Sequence, residues 1–286
     1  QLGFAAHIIG PSPRHREQCQ AEGALVDTDQ PYPSTYEGLT QLVLRLRGPD
    51  GCPWDREQTR ESLKGMILEE CYELVEAIEG GAIDGLVEEL GDVLFLIAFQ
   101  LRIATETDEF AEERVFGSLI RKLVRRHPHV FGDATASDSK EVLANWDELK
   151  RRERDANSSV LDGVPKTAPA LAYAQQVQRR AARAGFDWDN YQGVVAKVSE
   201  EVQEIESAES ESEREAEFGD LFFSLVNAAR WLDIDAEGAL RHANAKFHSR
   251  FTAMEALSRQ CGTSFPDLSM EEKEALWEEA KLSEAQ

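Results

Sequence analysis

Long apolar runs, positive charge, cysteine motifs and nucleotide-loop glycines are all scarce or missing in this chain. No apolar run approaches the ~18–20 residues of a membrane span, so a spanning helix is not expected. Only 31 Lys and Arg stand against 54 Asp and Glu, a formal charge of −23. Neither a nucleic-acid backbone nor an anionic membrane fits that balance as the main partner. A phosphorylated small molecule still fits, because a metal and a few local cations can reverse the field in one pocket. Cys19, Cys52, Cys71 and Cys261 form no CxxC and no regular framework, so free thiols in a reducing cytosol are expected. The opening Gln1–Ala6 has no charged n-region and no long h-region, which argues against a signal peptide. It also lacks an initiator Met, which leaves room for residues upstream. A cytoplasmic location is the expectation. No GxxxxGK[ST] occurs, so the chain is not a P-loop NTPase. No serine or cysteine nucleophile with a paired histidine stands out, and none of the six histidines has a glutamate three residues before it. The latter removes the di-iron bundle reading. No six-residue segment alternates cleanly with β-branched residues, so the fold class expected is all-α.

What the chain does have is acid, in a pattern written twice. The first copy reads Glu69-Glu70-Cys71-Tyr72-Glu73, then Glu88-Glu89-Leu90-Gly91-Asp92; the second reads Glu200-Glu201-Val202-Gln203-Glu204, then Glu217-Phe218-Gly219-Asp220. Each copy is an ExxE pair followed by an ExxD pair. Residues three apart share a helix face, so each pair points two carboxylates one way. Two such helices packed antiparallel converge four carboxylates, which repel unless a hard divalent cation sits among them. Any single ExxE among 54 acids reads most simply as a solvated face. The ExxD pairs weigh against that, since Leu90, Val93, Leu94 and Ile97 surround one and Phe218, Leu221, Phe222 and Leu225 the other. Those acids are expected to be buried and therefore partnered. All-oxygen ligands suit Mg²⁺ or Mn²⁺ rather than zinc. Gly91 and Gly219, mid-helix, read first as close helix packing.

At 286 residues the chain has room for two domains. Residues 1–33, with prolines at 11, 13, 31 and 33, read as a tail or linker. A first repeat covers 34–155, with helices near 37–47, 60–79, 84–106, 110–126 and 138–155 and a loop over Gly48–Trp54. A linker at 156–168 precedes a second repeat, 169–286, with helices near 168–184, 191–208, 212–232, 236–258 and 269–283. Trp54-Asp55 answers to Trp188-Asp189, Lys122 and Arg126 to Lys246 and Arg250, and Trp146 to Trp277. That shared order is a duplication. Lys246 and Arg250 read either as cations snorkelling from a surface helix or, beside a carboxylate–metal cluster, as grips on phosphate oxygens. Trp188 and Trp277 read as core residues or as platforms that stack a base. The attacking group is most simply a metal-activated water.

The run Gly51-Cys52-Pro53-Trp54-Asp55-Arg56-Glu57-Gln58-Thr59, the acidic pairs, and Arg125-Arg126-His127-Pro128-His129-Val130-Phe131-Gly132 together resemble MazG-type nucleoside triphosphate pyrophosphohydrolases. Gly185-Phe186-Asp187-Trp188 and Ala245-Lys246-Phe247-His248-Ser249-Arg250-Phe251 fit the second repeat of the tandem form. The resemblance spans about residues 35–284. It implies two tandem helical repeats of four-helix-bundle type, a homodimer, Mg²⁺ dependence, and hydrolysis of nucleoside triphosphates to monophosphate plus pyrophosphate. It further implies that Glu201, Glu204, Glu217 and Asp220 hold the metal; Glu70, Glu73, Glu89 and Asp92 are the corresponding acids of the first repeat, which the departures below make the weaker second site. Lys197, Lys246, Arg250 and Trp277 match nucleotide-contacting positions.

The two halves depart from this pattern unequally. Lys197 stands one helical turn before Glu201, where the first repeat has Met66 before Glu70; Asn244 precedes Lys246, where the first repeat has Ile120 before Lys122. The N-terminal repeat thus lacks a cation and an amide suited to phosphate. The C-terminal site is the one expected to work, with Glu200 or Glu201 orienting or deprotonating the water. The other reading is a nucleotide-binding regulatory or dimerisation module without useful turnover. Neither repeat can cover the apolar surface of 90–101 or 218–232 alone, so helices from another repeat or a second chain should complete each bundle.

Overall fold

Thr35 opens the first helix by accepting the Gly38 N–H at 3.2 Å on its hydroxyl, and α1 runs Tyr36–Leu46. The computed structural model describes residues 31–283 apart from 140, 143, 144, 147, 148 and 150–157. After α1 the backbone folds back so tightly that a Cβ on Gly51 would lie 2.0 Å from the Leu46 carbonyl oxygen. Pro53 then starts a short helix, α2 (Pro53–Glu57), inside the span expected as loop. Its fixed φ suits a first helical position, so the loop ends at Cys52, two residues early. Thr59 and Ser62 exchange backbone-to-hydroxyl hydrogen bonds, which holds a turn and delays α3 to Lys64–Gly80. Gly81, at φ +71°, returns its N–H to the Ala77 carbonyl and ends α3 in the left-handed conformation glycine tolerates. α4 follows at Ile83–Glu106.

α3 and α4 form a helical hairpin, and α1 packs on α4. Their core is Val43, Leu63, Leu96, Ala98, Phe99 and Ile103, with Met66 and Ile67 against it. Arg47 pins the bundle's end: its guanidinium donates to Glu106 at 2.7 and 2.9 Å and to the carbonyls of Asp55 and Gln58, and it lies over the Phe99 ring. α5 (Glu112–Arg126) meets α1 through an edge-on contact of Phe116 with Tyr36, and a proline-initiated turn, α6 (Pro128–Phe131), follows it. The α5 apolar row, Val115, Phe116, Leu119, Ile120, Leu123 and Val124, stays exposed.

Tertiary contacts divide the chain into Gln1–Ser139 and Lys140–Gln286. Of the first unit's tail, residues 1–30 lie outside the described residues; so do most of the helix expected near 138–155 and the start of the linker at 156–157. The described part of the linker docks on the second unit, where Arg180 donates to the Leu161, Asp162 and Gly163 carbonyls. The second unit comprises α7 (Ala170–Arg183), α8 (Tyr191–Ser207), α9 (Glu211–Trp231), α10 (Ala236–Gln260), a 3-10 turn and α11 (Met270–Ser283). Asn190 caps α8, and a Ser210–Glu213 capping box starts α9. α8 and α9 pair as a hairpin, α7 lies on α9, and α11 lies on α10. Gln175 of α7 clamps the α9–α10 connection, donating to the Ile234 carbonyl and accepting the Ala236 N–H. Among the described residues there is no strand, and no helix is long and apolar enough to cross a membrane.

Candidate active site

α8 lays Lys197, Glu200, Glu201 and Glu204 along one side, and α9 answers with Glu217 and Asp220. One carboxylate oxygen each from Glu201, Glu217 and Asp220 lies within 4.8 Å of the others. Glu204, expected as a fourth ligand, stands outside that triplet. Glu201 is 2% exposed, a burial that a glutamate tolerates only with a cationic partner. Its Oε1 takes the Lys197 ammonium at 2.8 Å, while its Oε2 is buried with no hydrogen-bond partner. The same ammonium meets Glu200 Oε1 at 2.8 Å and Glu204 Oε2 at 3.9 Å. Those hydrogen bonds, Glu200 first and Glu201 next, hold the lysine above its ordinary range. The Glu204 carboxyl is pushed up by desolvation, then by Glu217 and Glu201, against the pull of Lys197.

In the first unit the triplet is Glu70, Glu73 and Glu89, again with an oxygen each inside 4.8 Å. Asp92 is outside the triplet but acts on it: the Glu70 carboxyl is pushed up by desolvation and then by Asp92, Glu73 and Glu89. Glu89 is raised by desolvation and by Glu73, Glu88 and Asp92, and its Oε2 is buried without a hydrogen-bond partner. No cation stands at the Lys197 position; Met66 is there, packed against the core. Both triplets have the donors a hard divalent ion needs, carboxylate oxygens alone, and each includes a buried oxygen with no other partner.

Two expectations about these helices need correction. The ExxD acids were expected to be buried, yet Asp92 and Asp220 are exposed and Glu89 and Glu217 only half-buried. Leu90, Leu94, Ile97, Phe218, Phe222 and Leu225 are exposed around them. Helices apolar all round do need cover, but the cover is not supplied within either unit. Gly91 and Gly219 do not mark close packing either, for a Cβ at either position meets nothing within 4 Å.

Comparison with known proteins bears on this doubled cluster. A sequence model of the MazG nucleotide pyrophosphohydrolase domain matches residues 58–131, the stretch holding the first acidic pairs. The chain is 44% identical over 247 residues to a Thermotoga maritima protein named nucleoside triphosphate pyrophosphohydrolase/pyrophosphatase MazG, covering 86% of this chain and 95% of that one. It is 41% identical over 254 residues to the Escherichia coli nucleoside triphosphate pyrophosphohydrolase, covering 86% and 97%. It is also 45% identical over 254 residues to Bacillus subtilis YabN, 87% of this chain but 52% of that longer protein. The chain belongs to the MazG family.

In this MazG-family chain the other expected nucleotide contacts sit on α10, α11 and the entry to α8. Trp277, half-buried on α11, packs its ring against Phe247 with centroids 5.6 Å apart, and the Arg250 guanidinium lies 5.5 Å from its centroid. Lys246 and Asn244 are exposed on α10. Among the described residues, no ion pair joins Lys246 to the α8–α9 acids. Trp188 is 43% exposed and lies on Gly193, where a Cβ would come within 2.8 Å of its ring. Its neighbour Asp187 accepts from Arg230 at 2.5 and 3.0 Å and from the Trp231 indole at 3.2 Å, which fixes that loop to the end of α9. The sequence reading missed this Asp187–Arg230 anchor, for no local spacing links residues 43 apart. Lys197 does stand on the Glu201 face, one turn before it, but its ammonium, expected as a grip on phosphate, is paired with Glu200 and Glu201.

Proposed function

We propose that the chain hydrolyses nucleoside triphosphates to monophosphate and pyrophosphate, with Mg²⁺ or Mn²⁺ held by Glu201, Glu217 and Asp220. The observation that carries this is the orphaned, buried Glu201 Oε2 inside a carboxylate triplet. A buried carboxylate oxygen without a donor calls for a cation. The names of the Thermotoga and Escherichia relatives support the substrate class and the reaction. When bound, the metal supplies charge neutralisation at phosphate oxygens and a more acidic water.

The chain's own groups do the rest. Glu201 anchors the cluster from inside the α8–α9 hairpin. Glu200, outward-facing and tied to the same ammonium, is a carboxylate outside the triplet placed to orient a water, which attacks between the α and β phosphates. Lys197 is within a turn of the cluster and can meet a phosphate oxygen. Arg250 against Trp277 presents a cation and a ring side by side, suited to a phosphate and a base respectively. The exposed apolar faces of α4, α5 and α9 support a homodimer in which a second copy completes the bundles. Broad specificity and clearance of noncanonical nucleotides from a cytoplasmic pool is the role this activity would serve.

Product analysis with MgATP and MgdITP tests the proposal. Monophosphate plus pyrophosphate is expected from both, and diphosphate plus phosphate would reject it. Tight binding with no turnover by the full chain would point instead to a regulatory module, a reading that Met66 favours only for the N-terminal repeat.

A further inference from the structure

Lys197 sits where a metal's charge is wanted. Its ammonium is 2.8 Å from Glu201 Oε1, 2.8 Å from Glu200 Oε1 and 3.9 Å from Glu204 Oε2. Glu201 is at once the lysine's buried partner and a member of the triplet with Glu217 and Asp220. One of its oxygens is taken by the lysine, and the other is buried and has no hydrogen-bond partner. A bare divalent ion entering the triplet would share this carboxylate with an ammonium a few ångströms away, and like charges at that range repel strongly where water is thin. A triphosphate removes the conflict, since its anionic oxygens can receive the ammonium. The lysine stem is long and flexible enough to carry the charge from one partner to the other.

We propose that Lys197 is a tethered counter-ion of the C-terminal cluster: it neutralises the carboxylates before substrate arrives, disfavours a metal that comes alone, and favours a metal that comes with a triphosphate. This rests on the metal reading of that cluster, and it adds to the coupling that direct metal–phosphate attraction already gives the two ligands. By linkage, the metal and the triphosphate must then strengthen each other's binding by the same factor. The N-terminal triplet has Met66 in that position and no such device.

The test is Mn²⁺ binding to the nucleotide-free full chain, read from the electron paramagnetic resonance signal of free Mn²⁺. Lys197→Met is expected to tighten Mn²⁺ binding by about tenfold or more, the scale of one nearby charge at a partly buried site. Adding Glu217→Gln should erase the gain, which assigns it to this cluster. Lys197→Gln, which keeps a donor for Glu201 but drops the charge, should tighten binding equally, and Lys197→Arg should stay near wild type. Should Lys197→Met lose its helical circular dichroism, Lys197→Gln decides. Wild-type or weaker Mn²⁺ binding by a folded neutral variant overturns the proposal. So does a gain that survives Glu217→Gln. Failure of the pyrophosphohydrolase reading is separate: it would appear as wrong products, or none, from wild-type protein and MgATP.

Discussion

The two repeats each build a carboxylate triplet on a helical hairpin, Glu70, Glu73 and Glu89 in one and Glu201, Glu217 and Asp220 in the other, and they differ most in what stands one turn before it. In the first, Met66 is partly buried and packs against the hydrophobic core, leaving Glu70, Glu73 and Glu89 to repel one another. In the second, Lys197 turns toward the acids and is shared by Glu200, Glu201 and Glu204. Glu201 is buried against that ammonium, whereas its counterpart Glu70 is half-buried and its carboxyl is pushed up, first by desolvation. One side chain separates a cluster that carries its own counter-charge from one that does not. A second position points the same way, with Asn244 in the C-terminal repeat against exposed Ile120 in the N-terminal one.

The largest effect that would break this comparison is on Glu201. Glu201→Gln keeps the volume but removes the charge shared by Lys197 and the triplet, and kcat should fall by about 100-fold or more, as loss of a main electrostatic group commonly does. Glu70→Gln should leave most of the activity. Steady-state kinetics on the two variants makes the check, and comparable losses from both would mean two working sites.

Next in size is Trp277→Ala, which removes the ring that meets both Phe247 and Arg250. If that ring carries the base, KM should rise by about tenfold, in line with roughly 1–3 kcal/mol per stacked base, with little change in kcat. A fall in kcat at unchanged KM would place Trp277 in the packing of α10 and α11 instead.

The Asp187–Arg230 anchor belongs to the C-terminal repeat and yields a pH-dependent prediction. Hydrogen bonds from Arg230, joined by the Trp188 N–H and outweighing desolvation, hold the Asp187 carboxyl below the ordinary aspartate range. Its stabilisation is complete above about pH 4, where the unfolded chain's aspartate is ionised, and is lost as pH falls through the depressed value. Asp187→Asn should lower Tm at pH 7 by a few degrees, roughly 1 kcal/mol for a charge-assisted pair that is partly solvated. The difference should close in acid below the depressed value. A gap in Tm that stays constant with pH would assign the loss to geometry rather than charge.

Much of this architecture was readable in advance, and for specific reasons. Thr35, Asn190 and the Ser210–Glu213 pair are capping residues whose spacing announces a helix start, and Gly81 marks a stop by the backbone it tolerates. The ExxE and ExxD spacings pointed to the two helices whose carboxylates approach one another, because helix geometry brings i and i+3 to one face, but not to which of the four stand together: Glu204 and Asp92 lie outside the triplets. What could not be read was cover. The apolar residues around Asp92 and Asp220 demand burial, but periodicity does not say which body provides it, and within each unit those residues remain exposed. Nor does spacing decide between two partners of one cation: Lys197 suits a phosphate and suits Glu201, and only the packed hairpin shows it on the carboxylate.

The smallest effect concerns the glycines before the two aspartates. With open space at Gly219, Gly219→Ala should raise the stability of the nucleotide-free protein by up to about 1 kcal/mol through helix propensity alone. Gly91→Ala should do the same in the other repeat. A loss of stability at one of them in chemical denaturation would show that another body packs there, and would make the repeats differ in assembly as well as in charge.

The claim that most needs testing is that the C-terminal cluster carries the chemistry. Asp220→Asn and Asp92→Asn change corresponding positions, Asp220 within its triplet and Asp92 beside its own, each removing one charge while keeping the shape, and kcat for MgATP compares them. The account predicts a loss of about 100-fold or more for Asp220→Asn and near wild-type turnover for Asp92→Asn. An inactive Asp92→Asn beside a fully active Asp220→Asn would contradict it.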